Sequence, residues 1–90
     1  MKLGIVVGQV VSTKKDDKLV GYKLLITQPI APDGQPQGDP LVAVDTVGAG
    51  VGETVLYAQG SVASRALRDT SAPVDAAIVG IVDKIDGYNR

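Results

Sequence analysis

Two stretches decide the fold of this 90-residue chain: residues 2–11, Lys2-Leu3-Gly4-Ile5-Val6-Val7-Gly8-Gln9-Val10-Val11, and residues 76–82, Ala76-Ala77-Ile78-Val79-Gly80-Ile81-Val82. Both are rich in β-branched residues and bounded by turn-type sequence, which predicts β-strands. A half-exposed strand has a polar residue at every second position, because successive side chains point to opposite faces. Neither stretch alternates in this way. Both faces therefore need cover, and another copy of the chain is the simplest source of it.

The last strand gives this prediction a specific form. Regular alternation places Ile78 and Val82 on one face and Val79 and Ile81 on the other. A small domain covers one face with its own core. We therefore expect Val79 and Ile81 to lie at a subunit interface.

The size of the chain favours the same conclusion. Residues 1–90 form one predicted domain, without an internal repeat or linker, and a chain of this size buries only about 60–68% of its extended surface. By area scaling, the folded chain exposes roughly 5,000 Å². Two contacts of about 800 Å² each would cover nearly a third of that surface. An oligomer thus gives the surplus apolar faces a place to go.

Composition argues against several classes of function. The net charge is −1, and acidic and basic residues are interspersed, whereas a nucleic-acid surface would show a basic stripe with stacking aromatics. No apolar stretch reaches the ~20 residues of a membrane span. The sequence has no Cys and so no disulfide framework. We expect a cytoplasmic protein that binds neither nucleic acid nor membrane.

A pass along the chain predicts five strands and one short helix. The segment from Ser61 to Arg68 changes period, with i,i+4 apolar pairs and Ser61 as N-cap, and predicts an α-helix. The Pro-rich segment from Ala31 to Pro40 predicts a loop with a turn at Pro32-Asp33-Gly34. Together these elements favour a mostly β fold, a small five-stranded antiparallel β-barrel with one short α-helix. The predicted strands are Lys2 to Thr13, Tyr22 to Gln28, Leu41 to Val44, Thr54 to Gln59 and Ala76 to about Ile85.

Catalytic and ligand-binding groups are scarce. The segment Gly48-Ala49-Gly50-Val51-Gly52-Glu53 fits neither the dinucleotide nor the P-loop pattern, and a tight turn is the simpler interpretation. Asp45, Asp75 and Asp83 lie at strand ends, where Asp is an ordinary turn residue and only rarely a cation ligand. The chain has no His to activate a hydroxyl nucleophile. We predict no catalytic residue, no metal and no cofactor.

The helix carries Arg65 and Arg68 three residues apart. They could bind a carboxylate on a partner, although a solvated helix face explains them equally well.

The landmarks of this chain, taken in order, resemble the vertex proteins of bacterial microcompartments, the family shared by carboxysomes and ethanolamine- or propanediol-utilising organelles. The resemblance covers almost the whole chain. The matching pieces are Gly8-Gln9-Val10-Val11-Ser12-Thr13-Lys14, Leu19-Val20-Gly21-Tyr22-Lys23-Leu24-Leu25, Asp33-Gly34, Val44-Asp45-Thr46-Val47-Gly48-Ala49-Gly50, Gly52-Glu53-Thr54-Val55-Leu56, Gly60-Ser61 and Pro73-Val74-Asp75-Ala76-Ala77-Ile78-Val79-Gly80-Ile81-Val82-Asp83.

This resemblance implies a barrel related to the oligonucleotide-binding fold and assembled into a cyclic pentamer. Such pentamers close the five-fold vertices of a polyhedral shell, and hexameric shell proteins tile its facets as partners. The resemblance places Gly48, Ala49 and Gly50 near subunit contacts or the central axis. Arg65, one position later than the family's arginine, is a further candidate interface residue.

Two alternative interpretations belong to other classes. A ring-forming chaperonin cofactor of the ten-kilodalton type shares a segment like Gly52-Glu53-Thr54-Val55, but the long loop from Ala31 to Pro40 is polar rather than apolar. A nucleic-acid-binding barrel is disfavoured by the charge balance and by the three aromatic residues, all Tyr.

Overall fold

The computed structural model describes residues 1–88, and its five strands close into a barrel in the order β1-β2-β3-β5-β4. The barrel that the sequence predicts is confirmed, and one strand has the predicted bounds. Asn89 and Arg90, the end of the predicted domain, lie outside the described residues. The strands are β1 (Lys2–Val10), β2 (Leu24–Pro29), β3 (Leu41–Asp45), β4 (Thr54–Gln59) and β5 (Ala76–Ile81), and two 3₁₀ helices, Asp17–Leu19 and Ser61–Ala66, lie in the connections.

One strand pair corrects the expectation of an antiparallel barrel. β3 and β5 run parallel, paired through Val44 with Ala77 and Asp45 with Ile78, whereas the other four neighbouring pairs are antiparallel. The reason is topological. Directions cannot alternate all the way round a closed ring with an odd number of strands, so one pair must be parallel.

Two β-bulges correct the predicted facing of side chains. In β5, Ile78 lies opposite Tyr57 and Gly80 lies opposite Leu56, which leaves Val79 as an extra residue. Ile81 then pairs with Val55, a core residue, and shares a face with Ile78 rather than with Val79. The second bulge lies in β1, at Val7. An extra residue in one strand reverses the alternation beyond it, so strict alternation assigned Ile81 to the wrong face.

The predicted α-helix is also wrong, because the segment Ser61–Ala66 is a 3₁₀ helix. The residue before it, Gly60, is its N-cap with a φ of 85°, in place of the predicted Ser61. The Ser61 carbonyl accepts the Ser64 hydroxyl at 3.1 Å. In an α-helix that carbonyl would accept the Arg65 N–H, so the local side-chain bond favours the tighter turn.

Strand ends differ from prediction by a few residues, while the long loop agrees. β1 stops at Val10 instead of Thr13, β2 begins at Leu24 instead of Tyr22, and β5 ends at Ile81. The polar loop is exposed from residue 32 to 40, and its turn is closed by the Gly34 N–H donating to the Ala31 carbonyl at 2.8 Å.

Apolar side chains form two clusters on opposite sides of the barrel wall. Tyr57 is the largest fully buried side chain and fills the interior. We call the interior set the barrel core and the set under the second 3₁₀ helix the outer cluster. The barrel core comprises Val6, Leu25, Ala43, Ala49, Val55, Tyr57, Ala76 and Ile78, and the outer cluster comprises Val44, Ala63, Leu67, Ala72 and Ala77.

Candidate assembly interface

The glycine-rich loop between β3 and β4 is held in shape by one buried carboxylate. Asp45 ends β3 and is 6% exposed. Its oxygens accept the backbone N–H groups of Val47 at 3.1 Å, Gly48 at 3.0 Å and Ala49 at 3.2 Å. An aspartate that accepts amides from the following residues stabilises a tight turn in the way an Asx turn does. The predicted turn role of Asp45 therefore has a defined geometry.

Lys23 connects the same loop to β2. Its ammonium donates a hydrogen bond to the Ala49 carbonyl and lies 3.7 Å from Asp45 Oδ2. The lysine side chain is 41% exposed, so solvent screens the ion pair and the hydrogen bonds dominate. Sequence reasoning missed Lys23. The one available signal was a single charge immediately before an apolar strand.

The far end of the loop is fastened to β1. Glu53 Oε1 accepts the Gly50 N–H at 2.8 Å, and the Gly52 N–H donates to the Val6 carbonyl at 2.8 Å. Gly48 and Gly52 have φ values of 81° and 93°, in the left-handed region that favours glycine. The loop is thus a fixed surface feature, and Val51 at its tip is 66% exposed.

The three loop residues named as interface candidates lie in different environments. Gly48 is exposed and Gly50 is half-buried, so both can offer backbone to a neighbour. Ala49 is fully buried in the barrel core. Its methyl group anchors the loop and presents nothing to a partner. The placement of this loop at a subunit contact or at the axis stays a prediction.

The remaining candidates are distributed over the outside of the barrel. Val79 is half-buried against the outer cluster, and Ile81 is 36% exposed at the end of its strand. Arg65 is exposed on the second 3₁₀ helix. The structure does not bring these three side chains to the glycine-rich loop as one site, and their interface role also stays a prediction.

Arg68 has a different role from Arg65. Its guanidinium lies 4.3 Å from the centre of the Tyr22 ring and donates to the Val20 carbonyl at 3.0 Å. Its backbone N–H donates to the Tyr22 hydroxyl at 2.9 Å. Arg68 therefore fastens the β1–β2 connection to the segment that follows the second 3₁₀ helix. Residues 46 positions apart make this contact, and local sequence patterns give no signal for such a pair.

The outer face of the wall is itself apolar. Leu3 of β1 pairs with Leu56 of β4, and Ile26 of β2 pairs with Val42 of β3, on the side that faces away from the barrel core. Val42 is 48% exposed, and Val7 at the β1 bulge is 51% exposed. Contiguous exposed apolar residues of this kind mark interaction surfaces.

Acid–base and metal chemistry have little material in the described part of the chain. Among residues 1–88, no three Asp or Glu side chains converge as a metal site would require. Burial raises the pKa of the Tyr57 hydroxyl, which keeps that side chain neutral in the barrel. Within the same residues, neither helix has the length and apolar character needed to cross a membrane.

Comparison with known proteins completes the description of the site. Residues 1–83 match the family model EutN_CcmL, described as "Ethanolamine utilisation protein EutN/carboxysome". The chain is 45% identical to the microcompartment shell vertex protein EutN of Escherichia coli K12 over 94% of its length and 90% of EutN. It is 45% identical to the carboxysome shell vertex protein CcmL of Thermosynechococcus vestitus, over 99% of its length and 90% of CcmL. The solved GrpN pentameric microcompartment shell protein of Rhodospirillum rubrum superposes with a TM-score of 0.86 at 44% identity, covering 98% of this chain and all of GrpN.

Proposed function

The chain belongs to the EutN/CcmL family of microcompartment shell vertex proteins, and we propose that it assembles into cyclic pentamers that close the five-fold vertices of a polyhedral shell. Its role is structural and not enzymatic, as in the rest of that family. The comparisons described above give no support to the chaperonin-cofactor alternative.

The observation that carries the pentamer is the similarity to the GrpN structure, which is described as pentameric. The superposition covers nearly all of both chains, so the surfaces from which that ring is built have counterparts here. Cyclic symmetry requires a contact that repeats from one subunit to the next and closes after a fixed number of copies.

The outer face of the barrel supports the same proposal on physical grounds. Val7 and Val42 lie about half-exposed on opposite sides of the wall, next to pairs of large aliphatic side chains. Covering apolar surface gains roughly 25 cal/mol per Å² before the costs of association are subtracted. Each subunit of a ring has two neighbours, which is enough to cover two such surfaces.

A pentamer of this kind has a clear mechanical role. Hexagonal tiles alone form a flat sheet, and five-fold tiles introduce the curvature that closes a shell. The proposed partners are therefore hexameric shell proteins that meet the rim of the ring. A subunit suited to this task must hold its shape, and the closed barrel with its fastened β3–β4 loop provides that rigidity.

Native mass spectrometry of the purified protein tests the assembly. Five copies of the 9.3 kDa chain give an expected mass of about 46–47 kDa. A monomer at micromolar concentration would contradict the pentamer. A seven-membered ring would favour the chaperonin-cofactor alternative.

The vertex role needs a second test in cells. Deleting this chain should leave the other shell proteins and the enclosed enzymes in place, but the compartments should become elongated or leaky, because facets cannot close. Re-expression of the wild-type chain should restore closed polyhedra. Normal polyhedra in the deletion strain, with no second vertex protein encoded, would refute the assignment.

A further inference from the structure

The described C-terminal segment, residues 82–88, leaves the barrel without a place to pack. We call it the tail. The Val82 N–H donates to the Thr54 carbonyl at 2.8 Å, and within the described chain no later tail residue makes a backbone–backbone hydrogen bond. Ile85 is 42% exposed and Tyr88 is 45% exposed. An extended segment with unpaired backbone and exposed apolar side chains is suited to pairing with another chain.

The same molecule has an incomplete strand pairing at the other end of β5. β3 and β5 share only two residue pairs, whereas β1 and β2 share six. Residues 41–43 consequently have no strand partner on their β5 side within the described chain. We call this gap the seam. An unpaired strand edge is a template for an added strand.

The seam opens onto an apolar crevice of about 180 Å³. Val42, 48% exposed, lies on its wall. Asp75 is the single charged residue of the lining and is exposed. The apolar lining consists of Leu19, Leu24, Val42, Val44, Pro73 and Val74, together with Ala76.

A chain cannot readily place its own tail in its own seam. The crevice adjoins residues 73–76, where β5 begins, and the tail departs from Ile81, where β5 ends. Six strand residues, roughly 17–20 Å, separate the two points. The hydrogen bond from Val82 to Thr54 continues the strand direction away from the crevice. The tail therefore needs an acceptor on a second copy.

We propose that the tail of each subunit lies in the seam crevice of the next subunit, with Ile85 against Val42 beside the open edge of β3. This inference rests on the proposed ring and names the contact that closes it. Donor and acceptor lie at opposite ends of β5, so the contact is head-to-tail, which is the geometry that generates rings. Lys84 can exchange its present partner Asp86, in a pair whose side chains are more than three-quarters exposed, for Asp75 of the neighbour.

Cysteine cross-linking tests the contact cleanly, because the natural chain has no Cys. The double variant Val42→Cys/Ile85→Cys, oxidised at micromolar concentration, should give covalent species up to five chains on a non-reducing gel. The matched control is Val7→Cys/Ile85→Cys. Val7 is 51% exposed, close to the 48% of Val42, but lies on β1, across the barrel from the seam. The control should stay monomeric on the gel.

The outcomes separate this inference from the proposed function. A pentamer by native mass whose Val42/Ile85 cysteines fail to link chains, or link no better than the control, would overturn the tail contact and leave the ring intact. A wild-type monomer would instead remove the proposed function itself.

A second variant decides the matter if the double-cysteine protein does not assemble. Ile85→Asp should keep the far-ultraviolet circular dichroism of the wild type, because the tail lies outside both apolar clusters. It should raise the concentration at which the ring dissociates at least tenfold. An unchanged dissociation concentration would count against the proposal as firmly as a failed cross-link.

Discussion

The inner and outer faces of the barrel wall are made from the same residue types but have different environments. Val6, Val55 and Ile78 on the inner face are fully buried, whereas Val7 and Val42 outside are about half-exposed. Residue type therefore does not distinguish a core position from a contact position in this chain. The subunit satisfies one face by folding, and we infer that the other is satisfied by assembly.

The largest expected effect comes from placing a charge on each face of β5. Ile78→Asp buries a carboxylate without a partner in the barrel core and should cost about 3–5 kcal/mol, enough to unfold the subunit. Val79→Asp lies on the half-buried outer side and should leave the subunit folded but dissociated. Circular dichroism reports the fold and light scattering the assembly. If either variant kept both properties, the two faces would not differ as described.

The glycines provide a milder version of the same comparison. A Cβ on Gly4 would lie 2.5 Å from Thr27 Cγ2 and 3.2 Å from the Gln28 carbonyl oxygen, inside the wall. A Cβ on Gly80 would lie 3.6 Å from Leu56 Cδ1, an ordinary contact. Gly4→Ala should therefore lower the free energy of unfolding by about 1–3 kcal/mol, and Gly80→Ala should change it by less than about 0.5 kcal/mol. Urea unfolding of both variants measures the difference, and equal midpoints would contradict it.

Part of this architecture could be predicted from sequence, and the rest depends on contacts between distant residues. Apolar runs bounded by turn residues indicated five strands, and the bounds of β4 were correct. The bulges at Val7 and Val79 were not predictable, since a bulge is defined by the register of the partner strand. The parallel β3–β5 pair was foreseeable in principle, because an odd closed ring requires one.

The candidate site was less predictable than the fold. The family resemblance directed attention to residues 48–50, but not to the Lys23 ammonium that fastens the loop from β2. It also could not show that Ala49 points into the barrel core. Nor does a local pattern reveal the seam, which arises because β5 pairs with β3 over only two residues.

A buried and an exposed carboxylate extend the comparison to polar groups. Asp45→Asn loses the Oδ2 charge that accepts the Gly48 N–H at 3.0 Å and faces Lys23. We expect a loss of about 1–2 kcal/mol in the free energy of unfolding, because the buried amides of the loop lose a charged acceptor. Asp86→Asn breaks an ion pair whose side chains are 76% and 78% exposed and should be neutral within about 0.5 kcal/mol. Chemical denaturation of both variants provides the measurement, and an equal loss would show that the loop contributes little.

The smallest expected effect concerns Asp69, which is wholly on the outside. Its carboxylate accepts the Ser71 hydroxyl at 2.6 Å and the Ser71 N–H at 2.9 Å, and these bonds hold the pKa of Asp69 below its ordinary value. A depressed folded-state pKa means that the stabilisation is present above the unfolded-state pKa and is lost as pH falls through the folded-state value. Ser71→Ala removes the larger contribution and should move the pKa of Asp69 back towards that of a free aspartate in a carbon-detected NMR titration. The difference in stability between this variant and the wild type should be slight at neutral pH and should vanish in acid. Asp33 in the exposed 32–40 loop serves as the internal reference, since its titration should not respond to the substitution. An Asp69 titration unchanged by Ser71→Ala would show that water replaces the hydroxyl without loss, as expected for a surface whose polar groups are already well solvated.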